Sequence, residues 1–350
     1  MRYIQYYLLL LSIILTLGTP GKSMANAAQP GVWNAGGTVF TMLYPEDSLS
    51  FRKVQMQQEC IYIQLYKGFA VVKGTYLFRN TSSRPLNFKM GYPVNGIYSG
   101  GEALLNQVVL DSMNYFKIRA GENWLPLLQQ PHTEYGNINA FSSNWMVWEM
   151  TFAAGESQTV EVYFIVNTNK AQIRSGYDTE KRNAFIYLLE SGSVWKQPIE
   201  KGNFYIQLMD GLQAEDVQGI SDGFAFRFNN TQRIFRGSRS YFSPGPKDNL
   251  VITYYKQDKN FDFVKSTSQP AVLFDKIDTL SRMPLEKLSY ATDVQAKDPY
   301  TVSGSADSIL PMLLTHFAIY APYMAGTLGI AILIWAGIRR KKSRRKNNRV

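Results

Sequence analysis

The 350-residue chain is 45% hydrophobic and 14% aromatic, a globular composition with length for about two domains at roughly 150 residues each. Its formal charge of +10 is not a nucleic-acid signature. Eight basic residues crowd into 339–349, two more (Arg2 and Lys22) lie in the first 27 residues, and without these ten the body is neutral. One cysteine, Cys60, excludes an intrachain disulfide framework, and its apolar, strand-like surroundings mark it as a buried small hydrophobe.

Arg2 precedes an apolar run over 6–17 that is too short to cross roughly 30 Å of hydrocarbon. Gly18 and Pro20 break the run, and Ala25-Asn26-Ala27 supplies a small-residue cleavage pattern, so residues 1–27 are predicted to be a signal peptide. An uncleaved N-terminal anchor is the alternative.

From residue 31 to 255 the governing period is two. Ile61, Ile63 and Leu65 oppose Tyr62 and Gln64; Ala70, Val72, Tyr76 and Phe78 oppose Lys73, Thr75 and Arg79. Met146, Trp148, Met150 and Phe152 share a face, as do Val160, Val162 and Phe164, opposite Thr159, Glu161 and Tyr163. After the polar stretch 167–183 come the run 185–189 and the sets Phe204/Ile206/Leu208, Phe224/Phe226/Phe228 and Leu250/Ile252/Tyr254. Short alternating strands between Gly, Pro, Asn and Ser turns predict a mainly β body of antiparallel β-sandwich type. Two sandwiches, 28–175 and 176–255, or one elaborated sandwich, satisfy this pattern.

Residues 256–317 are more polar and are expected to be a stalk, with a short helix near 271–291 interrupted at Pro284. Residues 318–338 are long and apolar enough for a single C-terminal transmembrane helix. Tyr320 and Tyr323 mark one membrane interface and Trp335 the other. The basic tail 339–350, with Arg339, Arg340, Lys341, Lys342, Arg344, Arg345 and Lys346, follows at once. Basic residues stay on the cytoplasmic side, so the bulk of the chain is expected outside the cytoplasm. The apolar helix and basic tail also have the order of a cell-wall sorting signal, although no LPxTG peptide precedes them, so processing of this end stays open.

Tyr76-Leu77-Phe78-Arg79-Asn80-Thr81 with Met90-Gly91-Tyr92-Pro93-Val94, then Trp148-Glu149-Met150-Thr151-Phe152 with Ala154-Gly155-Glu156, resemble pieces of an uncharacterised family of exported bacterial β-rich proteins. So do Tyr187 to Gly192 with Trp195 and Pro198-Ile199, and Tyr241-Phe242-Ser243-Pro244 with Asn249-Leu250. Tyr92 stands where that family's pattern has Phe. The first piece is also similar to the N-terminal β-domain of vault and inter-alpha-trypsin proteins. These resemblances imply a fold and a compartment and supply no catalytic residues.

Only His132 and His316 are available as histidines, and no G-x-S-x-G turn accompanies His132. His132-Thr133-Glu134 falls short of the three ligands a zinc site needs. No P-loop or dinucleotide fingerprint occurs. The reading is therefore non-enzymatic, with no cofactor: a binding or structural component of the cell envelope, in contact with membrane lipid and with an envelope protein or glycan. Trp145, Trp124 and His132 are its candidate ligand surface. The competing reading is a membrane-attached hydrolase of envelope polysaccharide, which needs two carboxylates about 5–10 Å apart in a cleft. Asn80-Thr81-Ser82 and Asn229-Asn230-Thr231 match glycosylation sequons.

Overall fold

A computed structural model describes residues 31–33, 36–39, 51–93, 116–128, 145–169, 171–175, 178–302 and 309–347. The expected signal peptide, 1–27, and His132 lie outside these. The chain divides into two units, Met1–Val302 and Ser303–Val350.

The first unit is mainly β, with strands numbered in chain order. A nine-stranded sheet contains β3 (Val54–Leu65), β4 (Phe69–Asn80), β6 (Phe116–Ala120), β7 (Asn123–Leu125), β9 (Ser157–Asn167), β12 (Ile199–Leu208), β14 (Arg227–Asn229), β15 (Ile234–Phe242) and β17 (Thr292–Asp293). Its spatial order is β17-β14-β15-β12-β3-β4-β9-β6-β7, antiparallel except where β12 runs parallel to β3. A six-stranded sheet holds β1 (Gly31–Trp33), β2 (Gly36–Val39), β10 (Gln172–Ser175), β11 (Asp178–Leu188), β13 (Val217–Ile220) and β16 (Leu250–Lys256). There β2 lies parallel to β11. A further pair joins β5 (Leu86–Pro93) to β8 (Trp145–Phe152).

The period-two pattern matches the observed burial. Ile61, Val72, Phe78, Val162, Phe204 and Phe228 from the nine-stranded sheet join one hydrophobic cluster. Phe185, Tyr187, Ile252 and Tyr254 of the second sheet and Trp148, Met150 and Phe152 of β8 belong to it as well. Each large apolar side chain so buried contributes about 1.5–3 kcal/mol. The sequon asparagines are part of this packed structure. Asn80 is fully buried, and its amide donates to the Arg84 and Phe152 carbonyls; Asn229 is buried and donates to the Ser289 carbonyl. Neither amide is open to glycosylation in the folded chain.

Two expectations are corrected. A boundary near residue 175 does not separate two sheet systems, because β12 hydrogen-bonds along β3 from Lys201/Gln58 to Leu208/Leu65. The 256–302 part of the expected stalk is packed onto the body. α1 (Phe263–Ser266) and α2 (Pro270–Arg282) cross the outer face of the nine-stranded sheet. Phe263, Leu273, Phe274 and Ile277 bury against Val71, Tyr163 and Ile165, while Leu280, Leu285 and Tyr290 bury against Tyr205 and Ile234. This outer face is apolar enough to need a cover, and α2 supplies a buried stripe at helical spacing. Cys60 is half-buried beneath the same segment, and burial raises its thiol pKa to about 11, well above the reactive range. Farther on, Ile220 donates its backbone N–H to the Lys297 carbonyl, Arg182 donates to the Thr301 carbonyl, and Val302 is buried.

The second unit contains α3 (Ile309–Asn347), a 39-residue helix with Pro322 inside it. Its span His316–Lys341 is long and apolar enough to cross a membrane. Tyr320, Tyr323 and Trp335 are exposed along it, and the Arg339 guanidinium sits 5.0 Å from the Trp335 ring centre. The helix exceeds the expected 318–338 at both ends. It runs on through Arg339, Arg340, Lys341, Lys342, Arg344, Arg345 and Lys346, where arginine and lysine are good helix formers and no Gly or Pro intervenes.

Candidate functional site

Of the three expected surface residues, the structure places one in a defined site. Trp145 opens β8, but its side chain lies outside the described part, as does all of His132. Trp124 lies on β7, the last strand of the nine-stranded sheet, and is 51% exposed.

The hairpin that presents Trp124 follows from its sequence. Phe116, Ile118 and Ala120 alternate inward, which sends Lys117 and Arg119 outward. Gly121 takes φ of 58° at the turn, a left-handed conformation that glycine adopts without steric cost, and the chain returns with Trp124 opposite Arg119. The Lys117 Nζ then lies 4.5 Å from the Trp124 ring centre, 4.8 Å from Tyr163 and 4.6 Å from Phe274 of α2. Arg119 stands 5.4 Å from the centre of the same ring. Two cations against one aromatic ring fix its position, each contact contributing about 0.5–1 kcal/mol at an exposed site.

Beneath this aromatic cage lies a buried ionic network. Lys73 of β4 is only 5% exposed. Its Nζ donates to Asp278 Oδ1 of α2 at 2.7 Å and to Ser281 Oγ at 3.0 Å, and is 3.0 Å from Glu161 Oε1 of β9. Arg119 is paired with Glu161, and the Tyr163 hydroxyl donates to Asp278 Oδ1 at 2.8 Å. Burial raises the Asp278 pKa, but the hydrogen bonds from Lys73 and Tyr163 outweigh burial and hold it below the ordinary value. Burial lowers the Lys117 pKa against the opposing pull of Asp278 and Asp275.

Glu161 and Asp278 contact one ammonium, so these oxygens are at most the sum of the two distances apart, about 5.7 Å. That spacing suits a retaining glycosidase pair. A retaining pair also needs both carboxylates free for substrate, whereas these side chains are 13% and 19% exposed and are held by Lys73, Arg119 and Tyr163. The network is a rigid support for Trp124. The half-exposed, fixed indole offers an apolar surface to a ring, and Lys117 and Arg119, which lie over the indole, are donors beside it. Among the described residues no group of three or more His, Cys, Asp or Glu is placed to hold a metal ion.

A second polar group lies in the core. Glu59 of β3 is 3% exposed, with Oε2 3.4 Å from the Tyr187 hydroxyl, which is 2.8 Å from that of Tyr76. Burial raises its pKa to about 8, opposed by the Tyr187 hydrogen bond and the Arg239 charge.

The sequence reading singled out Trp124 but not its setting. Lys117 and Arg119 were readable as the polar phase of Phe116-Lys117-Ile118-Arg119-Ala120 before a Gly121 turn. Phe274 and Asp278 were not, since nothing local links α2 to strands 115 to 205 residues earlier.

No family model matches the chain, and no curated protein matches it. Among solved structures, it is similar to a Legionella pneumophila protein provisionally named as nutrient-binding, at 12% identity and TM-score 0.42, over 75% of this chain and 82% of that one. It is also similar to a two-domain M1 zinc metallopeptidase, at 10% identity and TM-score 0.32, covering 60% of this chain and 44% of the peptidase. A third likeness is to yeast LTA4 hydrolase, at 10% identity and TM-score 0.31, over 60% and 30%. The chain thus spans less than half the length of these two enzymes. None of the three TM-scores reaches 0.5, and the site's chemistry is read from its own residues.

Proposed function

We propose that the chain is a membrane-attached binding component of a cell envelope, with a β-sandwich body outside the cytoplasm, α3 across the lipid and the basic tail inside. The observation that carries the binding role is the half-exposed Trp124 indole, held by Lys117 and Arg119 over the Lys73 network. Such a preformed aromatic platform binds without first ordering a loop, which favours recognition of a glycan or protein surface. The burial of Glu161 and Asp278 against the Lys73 ammonium disfavours the hydrolase alternative at this pair. The shared core of the two large sheets favours the sandwich reading, and the length and apolarity of His316–Lys341 favour the anchor. The family resemblance is proposed on the same footing; its segments Tyr76–Thr81 and Trp148–Phe152 fall in and beside β4 and in β8.

The test is binding by the full chain reconstituted in lipid nanodiscs. It is expected to retain an envelope glycan or protein, and Trp124→Ala is expected to weaken retention about tenfold, corresponding to about 1.4 kcal/mol. Unchanged retention by a folded Trp124→Ala protein refutes the site. Orientation is checked separately: protease added outside intact cells should digest the body and spare a tag after residue 350, and the opposite result refutes the topology.

A further inference from the structure

At the end of the nine-stranded sheet far from Trp124, a cavity of about 300 Å³ opens on the outer face, lined by Ala225, Arg227, Arg236, Ser238, Leu288 and Tyr290. Arg227 of β14 and Arg236 of β15 are directly opposed in the antiparallel register. Like charges so placed repel, and a fold keeps them more readily where an anion sits between. Only half of this charge is answered. Asp293 accepts from Arg227 Nε at 2.7 Å, whereas Arg236 has no carboxylate partner among the described residues and lies with its guanidinium 5.7 Å from the Tyr290 ring centre. The Tyr290 hydroxyl is committed to the Leu285 carbonyl at 3.0 Å, so its ring and Leu288 form an apolar wall. Ser238, exposed beside Arg236 on the same face, adds a hydroxyl donor. Ala225 has φ of 47°, a left-handed conformation costly for a residue with a Cβ, and strain of this kind concentrates at binding sites.

We propose that this cavity binds a small oxyanion, the phosphate or carboxylate group of a small molecule or polymer end. Arginine forks match the planar, two-oxygen geometry of such groups, and the volume is at the small end of ligand pockets. The site is independent of Trp124 and stands whether or not that residue binds anything.

The test uses the full chain in zwitterionic nanodiscs, titrated calorimetrically with inorganic phosphate, glycerol 3-phosphate and glucuronate. Saturable binding of at least one probe, weakening as salt rises, is expected, and a preference between the two organic probes separates a phosphorylated from a carboxylated source. Arg236→Gln should weaken binding at least tenfold, and Ser238→Asp, an exposed change that places a negative charge in the cavity, should abolish it. Asp293→Asn removes the competing carboxylate and should tighten binding severalfold, a gain that misfolding cannot produce. No saturable binding of any probe by folded protein overturns the proposal, as does equal binding by Arg236→Gln or weaker binding by folded Asp293→Asn.

Discussion

Replacing Lys73 by Met tests the energetic core of the candidate site. The ammonium is 5% exposed and lies between Glu161 and Asp278, whose side chains are 13% and 19% exposed. Without it two carboxylates face each other at about 5.7 Å or less, and their repulsion at an effective dielectric near 20 is about 3 kcal/mol. Arg119 still faces Glu161 and offsets part of this, while Asp278 also loses its hydrogen bond. Breaking a buried pair by removing one partner costs about 3–5 kcal/mol, and we expect the lower half of that range. For a body of this size that lowers Tm by roughly 6–16 °C. The assay is thermal and denaturant unfolding of the detergent-solubilised chain, followed by tryptophan fluorescence. A pH series fixes the mechanism. In the native protein Asp278 has a depressed pKa, so its stabilisation is present above its unfolded value and is lost as pH falls through the folded one. In Lys73→Met one carboxylate should instead bind a proton more tightly when folded, so the deficit should shrink between pH 7 and pH 5. Adding Glu161→Gln and Asp278→Asn should restore more than half of the loss at pH 7. A single-variant deficit below about 1 kcal/mol, or one independent of pH, refutes the reasoning.

Glu59 has a folded pKa of about 8 against an unfolded value near 4.5, so it takes stability away progressively as pH rises through that window. Glu59→Gln should flatten this loss and be more stable than the native chain at pH 8 but not at pH 4, as read by denaturation midpoints. Trp124→Ala should cost about 1–2 kcal/mol of stability, the two cation contacts it removes, while reducing partner binding; a loss well above this would make it a packing residue. At Gly219 an added Cβ would collide with the Pro299 backbone and approach Thr253 Oγ1 to 2.7 Å, and backbone cannot rotate away. Gly219→Ala should therefore cost about 2 kcal/mol or more and raise hydrogen exchange around 297–302.

Strand positions were legible because burial on one face imposes a period of two, and Ile61/Ile63/Leu65, Trp148/Met150/Phe152 and Leu250/Ile252/Tyr254 all obey it. Pairing was not legible. The join of β3 to β12 brings Cys60 beside Asn203, and nothing within either strand specifies the other. Residues 256–302 read as a stalk because their average is polar, yet Leu273, Phe274, Ile277 and Leu280 form a stripe that is informative only at helical spacing. Glu59 continues the inward phase of Ile61, Ile63 and Leu65, so alternation places it inside, but its contact with Tyr187 in another strand was not legible.

The packed segment 261–290 connects these observations. One face of the nine-stranded sheet is closed by the common core, and the other needs cover over Val71, Tyr163, Ile165, Tyr205 and Ile234. The segment from Phe261 to Tyr290 covers the middle strands and leaves β7 at one end and β14 at the other incompletely covered. At the first margin Phe274 meets Lys117 and Tyr163, and Trp124 projects beyond them. At the second, Leu288 and Tyr290 wall the arginine cavity. Both candidate sites therefore use a side chain from the covering segment together with cations that strand alternation turns outward. A change that lifted this segment, such as Ile277→Asp, should disable both sites together, whereas Trp124→Ala and Arg236→Gln should each disable one. Loss of both functions by either single-site variant would mean that the two margins are coupled through more than their shared cover.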